Sequence, residues 1–415
     1  MIRFFLITFL FCVTLLQAQK GTLSPYSFYG LGETIFEGTA DQRAMGGLTS
    51  YSDSIHFNVS SPATLADLKL VNYGIGANYS TRDFTSNENT TNNVTASIDY
   101  MTVAIPTKHF GFGFGLLPKT AVGYRLNTTD EVNDIPFESN YEGSGGINQV
   151  FFSLGFSPIN NWGVGAAIYY NFGTIISVHT RQDEGVDLLS QLVNESETRG
   201  IEWNLSSFYK IDMSERLQVQ LHYSYQPNAN LTSLNSRSIS TFSSLGAQRD
   251  FQELNLEPSG LDKTETVVPS RHSFGAGIGE EKKWYFGGQW TENDGPIKNT
   301  FYATGKVNYI AASKLSVGGF FIPEYDSFSN YWKRIVYRFG YNSSTTGMVL
   351  NDETIKNNGI TFGVGLPVAG YSNLNIGIEV GKLGTQGSSL IEENYLNIRV
   401  GFSLNDRWFL KRKYN

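Results

Sequence analysis

The residues that could do chemistry in this sequence are few and scattered. Its five histidines lack the close spacing of ligands in one metal site: His56, His109, His179, His222 and His272. The adjacent acidic pairs, Glu280 with Glu281 and Glu392 with Glu393, fall in polar segments where solvated charge is the usual role. The segment T-E-N-D-G at residues 291–295 lacks the full ligand pattern of a calcium loop. We therefore predict no catalytic residue, no metal and no cofactor.

One enzymatic alternative stays open, because folding can bring a serine and a histidine together from distant positions. A membrane-bound lipase would need such a pair, and spacing alone does not reveal it. His222 lies among polar residues, which favours a place in a polar wall over a catalytic role.

Residues 1–18 have the pattern of a secretory signal. Arg3 is followed by an apolar stretch at residues 4–16, and Ala18 supplies a small residue before the predicted cleavage site. The only cysteine, Cys12, lies inside this segment. The exported chain would therefore contain neither disulfides nor thiolate chemistry.

The composition narrows the class of protein. The 415 residues include 29 Phe, 23 Tyr and 43 Gly, but only 17% are charged and the formal net charge is −7. Without a basic stripe, nucleic acid is not an expected partner. After the signal, no apolar run reaches the ~18 residues that a membrane-spanning helix needs.

The elements that organise the chain are strands with two different faces. In residues 217–225, L-Q-V-Q-L-H-Y-S-Y, apolar and polar side chains alternate strictly. Successive side chains of a strand point to opposite faces, so one face is apolar and the other polar. The same alternation recurs at residues 71–79, 360–366, 374–380 and 396–404. A large soluble β-protein is the alternative, but the repetition favours a transmembrane β-barrel with lipid outside and a polar lumen.

Short and long connections alternate between these strands, as in outer-membrane barrels. The long, polar ones are predicted at residues 127–145, 180–197, 232–264, 291–306, 342–358 and 383–393. We count about fourteen antiparallel strands in one domain, residues 70–415, with residues 301–309 placed mostly in a loop. Aromatic residues follow several short turns and predict an interfacial girdle at one end: Phe110, Trp162, Trp284 and Trp408.

Residues 19–69 lack the alternation, and we refer to them as the hatch. They contain Gly46 and Gly47, and then S-P-A-T-L-A at residues 61–66, where Ser61 can cap a short helix that begins at Pro62. The segment is large enough to fill a barrel lumen. A loose periplasmic tail is the alternative.

The predicted third wall strand begins F-G-F-G-F-G-L-L-P at residues 110–118. Its phenylalanines would face lipid, while Gly111, Gly113 and Gly115 would face the lumen and let another backbone come close. Pro118 cannot donate to the ladder, so it marks either a lateral break in the wall or a bulge above the membrane.

These features together resemble the FadL-type transporters of hydrophobic compounds, with C-terminal stretches similar to the Bacteroidetes branch. That family has an Asn-Pro-Ala element in a lumenal hatch and a kinked third strand with a lateral exit. The matching positions are Ser61, Pro62 and Ala63, with Ser61 in place of the family's Asn, and Pro118 as the kink.

The resemblance implies an outer-membrane channel for passive uptake of small hydrophobic compounds such as long-chain fatty acids. The expected partners are the lipid bilayer and a hydrophobic ligand. The same branch contains protein-binding barrels of the type IX secretion machinery, similar to PorV, and architecture does not separate the two functions.

Overall fold

The computed structural model describes residues 21–86, 90–132, 135–295, 307–368, 370–386 and 390–408. The predicted signal segment and residues 301–306 lie outside these ranges. Within these ranges, nineteen strands form one antiparallel sheet. They are β1 (Glu33–Thr34), β2 (Val71–Thr85), β3 (Thr90–Pro106), β4 (Phe110–Val132), β5 (Ile135–Ile159), β6 (Trp162–Asp183), β7 (Leu188–Asp212), β8 (Leu217–Gln226), β9 (Ala229–Ser243), β10 (Gln248–Glu253), β11 (Lys263–Val268), β12 (Arg271–Glu280), β13 (Trp284–Asn293), β14 (Val307–Tyr309), β15 (Ser313–Phe321), β16 (Val336–Leu350), β17 (Glu353–Pro367), β18 (Asn373–Gly384) and β19 (Glu392–Asp406).

The sheet closes on itself as a barrel of fourteen wall strands, which confirms the predicted fold class and count. Closure occurs where β19 pairs with β2 along its whole length. Two of the wall strands are interrupted once. One consists of β8 and β9, which both pair with β7. The other consists of β11 and β12, which pair with β9 and β8 respectively. The strand β14 pairs with β16 in line with β15, so the two form one wall strand, and the wall count stays even although residues 307–309 are strand rather than loop.

The strand β8 has the two faces that its alternation predicts. Leu221 and Tyr223 are exposed on the outside, whereas Gln220, His222 and Ser224 are buried in the lumen. Aromatic and aliphatic side chains are exposed in the same way on the other wall strands, among them Phe114, Phe152, Trp203, Phe274 and Phe362. This is the apolar outer band of a transmembrane barrel of the outer-membrane type.

The wall is much taller on one side than on the other. The strands β4 to β7 have 22 to 25 residues each, whereas β12, β13 and β15 have 9 or 10. Several predicted long loops were therefore wrong, because residues 127–132, 135–145, 188–197 and 342–350 continue as strands joined by short turns. Above the membrane both faces of a strand meet water. The apolar alternation is then lost while the ladder hydrogen bonds persist, so the polar composition resembles that of a loop.

The aromatic residues of the predicted girdle lie at one end of the barrel. Phe110, Trp162 and Trp284 each open a wall strand directly after a short turn, and Trp408 follows the last strand. Phe110, Trp162 and Trp408 are exposed, as an interfacial ring requires.

Residues 21–70 lie inside the barrel and contain little regular structure. Short 3₁₀ helices span Pro25–Phe28 and Pro62–Ala66, and α1 spans Ala40–Arg43. Two further 3₁₀ turns, Glu257–Ser259 and Tyr331–Arg334, belong to connections between wall strands. Among the described residues, no helix is long and apolar enough to cross a membrane.

Candidate binding site in the lumen

The hatch is held by polar side chains from the lumenal face of β8. Ser61 is fully buried and its Oγ lies 2.6 Å from Nε2 of His222. The backbone N–H of Ser52 donates to Oε1 of Gln220 at 3.1 Å. Ser61 occupies the N-cap position of the helix that starts at Pro62, but its side chain makes no capping bond, so that part of the prediction was wrong. The hydroxyl is engaged by the histidine instead.

The helix Pro62–Ala66 packs against glycines of the tall wall. A Cβ atom on Gly111 would collide with Leu65, and one on Gly113 would collide with the ring of Phe57. Gly115 differs, because a Cβ there would meet the Met101 carbonyl of the neighbouring strand rather than the hatch. On the hatch side, the N–H of Ala63 donates to Oγ of Ser206 at 2.8 Å.

Gly46 and Gly47 form the closest backbone contact on the opposite side of the lumen. Both have positive φ, at 73° and 76°, which L-residues with side chains rarely adopt. The N–H of Gly46 donates to Oγ1 of Thr361 at 2.8 Å, and a Cβ on Gly340 would collide with Gly46. Because both the hatch and the wall have glycine at this contact, the backbone of the hatch lies directly on the backbone of the wall.

Buried ion pairs fix the hatch beside these glycines. Glu379 of β18 accepts from Arg43 at 2.8 Å and from Arg399 at 2.6 Å, and it is almost fully buried. Arg43 also contacts Glu37, which accepts from Lys314 at 2.7 Å. Two of these ion pairs, Arg43 with Glu379 and Glu37 with Lys314, join the hatch to the wall, and losing either partner would leave a charge uncompensated.

At the periplasmic mouth, two residues of the hatch form a charged pair with each other. Oδ2 of Asp53 lies 2.7 Å from Nδ1 of His56, and Oδ1 accepts from the N–H groups of Ile55 and His56. Burial alone would raise the pKa of Asp53, but the charge and donors of His56 lower it to about 2. Burial alone would lower the pKa of His56, and the Asp53 carboxylate overcomes this and raises it.

The wall has an unpaired stretch beside Pro118. The ladder between β3 and β4 joins only residues 101–106 to residues 111–116, and within the described chain no β3 residue pairs with β4 beyond Leu116. Pro118 lies at a bulge in the ladder with β5. The hatch strand β1 takes up part of the free edge, pairing Thr34 with Thr120, and Ile35 N–H donates to the Lys119 carbonyl at 3.0 Å.

The segment of β4 that follows Pro118 turns into the lumen. Thr120, Ala121, Val122 and Tyr124 are all buried, although alternate residues of a wall strand should face lipid. Hatch residues cover the face that would otherwise point outward. A gap in the wall between β3 and β4 is therefore backed by the hatch.

An apolar pocket of about 270 Å³ lies between the hatch and the tall wall, near the end with the long strands. Phe28 of the hatch makes edge-to-face contacts with Tyr124 and Tyr141, with ring centroids 5.0 and 6.1 Å apart. Tyr141 stacks on His179 at 4.3 Å. Val122, Ile175 and Leu192 complete the apolar lining, and polar and charged groups border it, among them Asn194 and Arg237.

A second cavity, of about 310 Å³, lies under the wall gap and has the opposite character. Its lining includes the charged side chains of Glu33, Glu37, Arg82, Asp99 and Arg399. Several buried polar atoms that line it have no partner among the described residues, namely Oδ1 of Asn78, Oγ of Ser80, Oγ1 of Thr120 and Oδ1 of Asn397. Of the two cavities, only the pocket at Phe28 suits an apolar ligand.

In the described part of the chain, the histidines and acidic pairs noted in the sequence do not come together as a metal site. No cluster of three or more His, Cys, Asp or Glu side chains that could hold a metal exists in the described part of the chain. The Ser61–His222 contact does bring a serine and a histidine together, but both are buried between hatch and wall, and Nδ1 of His222 has no partner among the described residues. A catalytic triad needs an acid at that nitrogen.

The fold is that of a fourteen-stranded barrel of the outer-membrane type with a plug in its lumen, and it is similar to the fold of FadL-type barrels. The Pseudomonas putida toluene transporter TodX is 13% identical with a TM-score of 0.57, over 91% of this chain and 99% of that chain. The CymD monoaromatic hydrocarbon channel is 11% identical with a TM-score of 0.56, over the same shares. A FadL homologue from Pseudomonas aeruginosa is 11% identical with a TM-score of 0.57, over 90% and 99%.

The family model that matches is BamG, and it covers residues 1–415, so the chain belongs to the BamG family. No protein of curated function matches the sequence. The predicted resemblance to FadL-type barrels is confirmed at the level of the fold. At identities this low the neighbours establish the architecture and not the cargo.

Proposed function

We propose that this barrel is an outer-membrane channel for passive uptake of small hydrophobic molecules. The observation that carries the proposal is the aromatic pocket at Phe28. An apolar cavity of about 150 Å³ is enough to bind benzene, so the volume of this pocket suits a molecule of one or two rings. Two of the fold neighbours are a toluene transporter and a monoaromatic hydrocarbon channel, which agrees with such a ligand.

The proposed path runs from the pocket past β4 to the bilayer. Val122 and Tyr124 line the pocket, and they belong to the same inward segment of β4 whose other edge borders the wall gap. A side exit would keep a greasy molecule away from water, where its apolar surface is least favourable. Because the cavity below the gap is charged, the hatch would have to move before the ligand could pass either sideways or down into the periplasm.

Binding is tested by filling the pocket. We expect Leu192→Trp to weaken naphthalene binding, followed by the ligand's own fluorescence, by at least about tenfold. Ile201→Trp is the matched control, because Ile201 lies on the same strand but is exposed on the outer face. Equal affinities for both variants and the unmodified protein would place the ligand elsewhere and remove the support that the pocket gives to uptake.

A second candidate function is a protein-binding barrel in a secretion or assembly complex. It is favoured by the connection between β15 and β16 at the periplasmic end, where Phe328 and Trp332 are strongly exposed and Tyr325 and Tyr331 are partly so. Aromatic residues are enriched at protein interfaces. They are also suited to the membrane surface, so exposure alone does not decide between the two.

Native mass spectrometry of the protein, extracted gently from its own membrane, separates the two candidates. A monomer with a small hydrophobic adduct supports uptake. A complex with a large partner, lost on Phe328→Ala with Trp332→Ala, supports the protein-binding function and contradicts the first proposal if no adduct is found.

A further inference from the structure

Among the residues that the structure describes, Arg271 of the polar lumen has no charged or hydrogen-bonding partner. Arg271 opens β12 on its lumenal side, opposite Gln226 of β8 and Asn293 of β13, and it lines both the cavity under the gap and an adjoining one of about 190 Å³. Its guanidinium forms no ion pair and no hydrogen bond with any residue that the structure describes. The other cations of the cavity under the gap, Arg43, Arg82, Lys314 and Arg399, all pair with carboxylates.

The carboxylates that face Arg271 are already engaged. Glu202 is bound by Lys119 and accepts from Nε2 of Gln149 at 3.2 Å. Glu37 is bound by Lys314 and Arg43. An arginine does not lose its proton in a protein, so the positive charge stays. The side chain is exposed to the space of the two cavities, so an anion that enters them can reach this charge.

Two uncharged groups border the same space. Thr120 is only 5% exposed, and within the described part of the chain neither its hydroxyl nor Oδ1 of Asn293 has a partner. Turning the Asn293 amide over would present its NH₂ group instead, since the two orientations are assigned from the hydrogen-bond network. Arg271, Thr120 and Asn293 line both cavities, so they border the passage between them.

We propose that Arg271, Thr120 and Asn293 form a binding site for a small free oxyanion, a carboxylate or a phosphate, in the lumen. The planar guanidinium offers two parallel N–H donors, which match the oxygens of either group, and the hydroxyl and amide add further donors. The site goes beyond the proposed uptake of hydrophobic molecules, because it shares no residue with the pocket at Phe28.

The test is equilibrium dialysis of the full chain in detergent micelles with radiolabelled phosphate and, separately, benzoate. We expect Arg271→Gln to weaken the binding of both by about ten- to a hundredfold, as for loss of a charge-assisted hydrogen bond. Arg271→Lys should lose less, because it keeps the charge but not the fork. Arg249→Gln, on the exposed strand β10, removes the same charge outside the lumen and should change nothing.

Folding is checked for each variant by the heat-dependent mobility shift in gel electrophoresis. If the unmodified protein binds neither anion, or if Arg271→Gln binds both as well as it does, the site does not exist. If octanoate binds and displaces naphthalene while phosphate does not bind, the anion is the acid head of an amphiphile in the apolar pocket, and a separate site is ruled out. Naphthalene binding that survives Arg271→Gln leaves the uptake proposal standing whichever result is found.

Discussion

The apolar pocket and the polar cavity share Gly30 of the hatch, yet their linings differ in nearly every respect. The pocket is formed by rings and aliphatic side chains of the tall wall, whose contacts are non-directional and can yield to a ligand. The cavity is surrounded by ion pairs that tie hatch residues to β2, β15 and β18, and each pair depends on its partner. The difference indicates that binding a molecule and holding the hatch are tasks of separate side chains.

The largest effect is expected from Glu379→Gln, which would test that separation. The substitution removes the buried charge that compensates Arg43 and Arg399, at a cost of about 3–5 kcal/mol. Amide hydrogen exchange in residues 37–48 should accelerate about a hundredfold or more, while naphthalene affinity stays unchanged. Glu353→Gln, at the exposed start of β17, is the control. A parallel loss of naphthalene binding would show that the two regions are coupled.

A smaller effect is expected at the wall gap, from Pro118→Val. Valine is a strand former with a backbone donor, so it should favour pairing between β4 and β3 and narrow the gap. The β-propensity scale spans about 1 kcal/mol, which corresponds to about a fivefold slower uptake into proteoliposomes. The barrel should stay folded and the pocket should bind as before. Pro136→Val, near the exposed tip of β5, is the control, and an unchanged uptake rate would remove the lateral exit.

The smallest effect concerns Asp53 and His56 at the periplasmic mouth. The raised pKa of His56 contributes stability to the folded hatch. This contribution is complete below the ordinary pKa of histidine and is lost as pH rises through the pKa of His56 in the folded protein. The lowered pKa of Asp53 also contributes stability, which is present above the ordinary pKa of aspartate and is lost as pH falls toward about 2. We expect His56→Gln to reduce exchange protection of residues 51–56 by about 1 kcal/mol at pH 6 and by less at pH 9.

His109→Gln, in an exposed turn, should leave this protection unchanged at both pH values. An equal loss at both pH values for His56→Gln would mean that packing of the ring, and not its charge, holds the mouth of the hatch.

Local patterns of the sequence predicted the parts of the fold that depend on one strand at a time. The alternation around Gln220 and His222 revealed the lumenal face of β8, and the glycines at 111 and 113 indicated where the hatch comes close. The tall wall was missed because its outer strands are polar on both faces. The partners of Glu379 and the isolation of Arg271 depend on which strands meet across the lumen, and no spacing along the chain contains that information.

The pairing of β1 with the free edge of β4 has a consequence for assembly. Residues 33–34 of the hatch supply hydrogen bonds that β3 leaves unmade, and β19 joins β2 only when the far ends of the barrel segment meet. Because β1 supplies these bonds from inside the lumen, the wall beside Pro118 is complete only when the hatch is in place. The pairing of β19 with β2 joins positions that are distant in sequence, so it is the slowest contact to form. Whether a newly made chain folds correctly therefore depends on when this pairing forms.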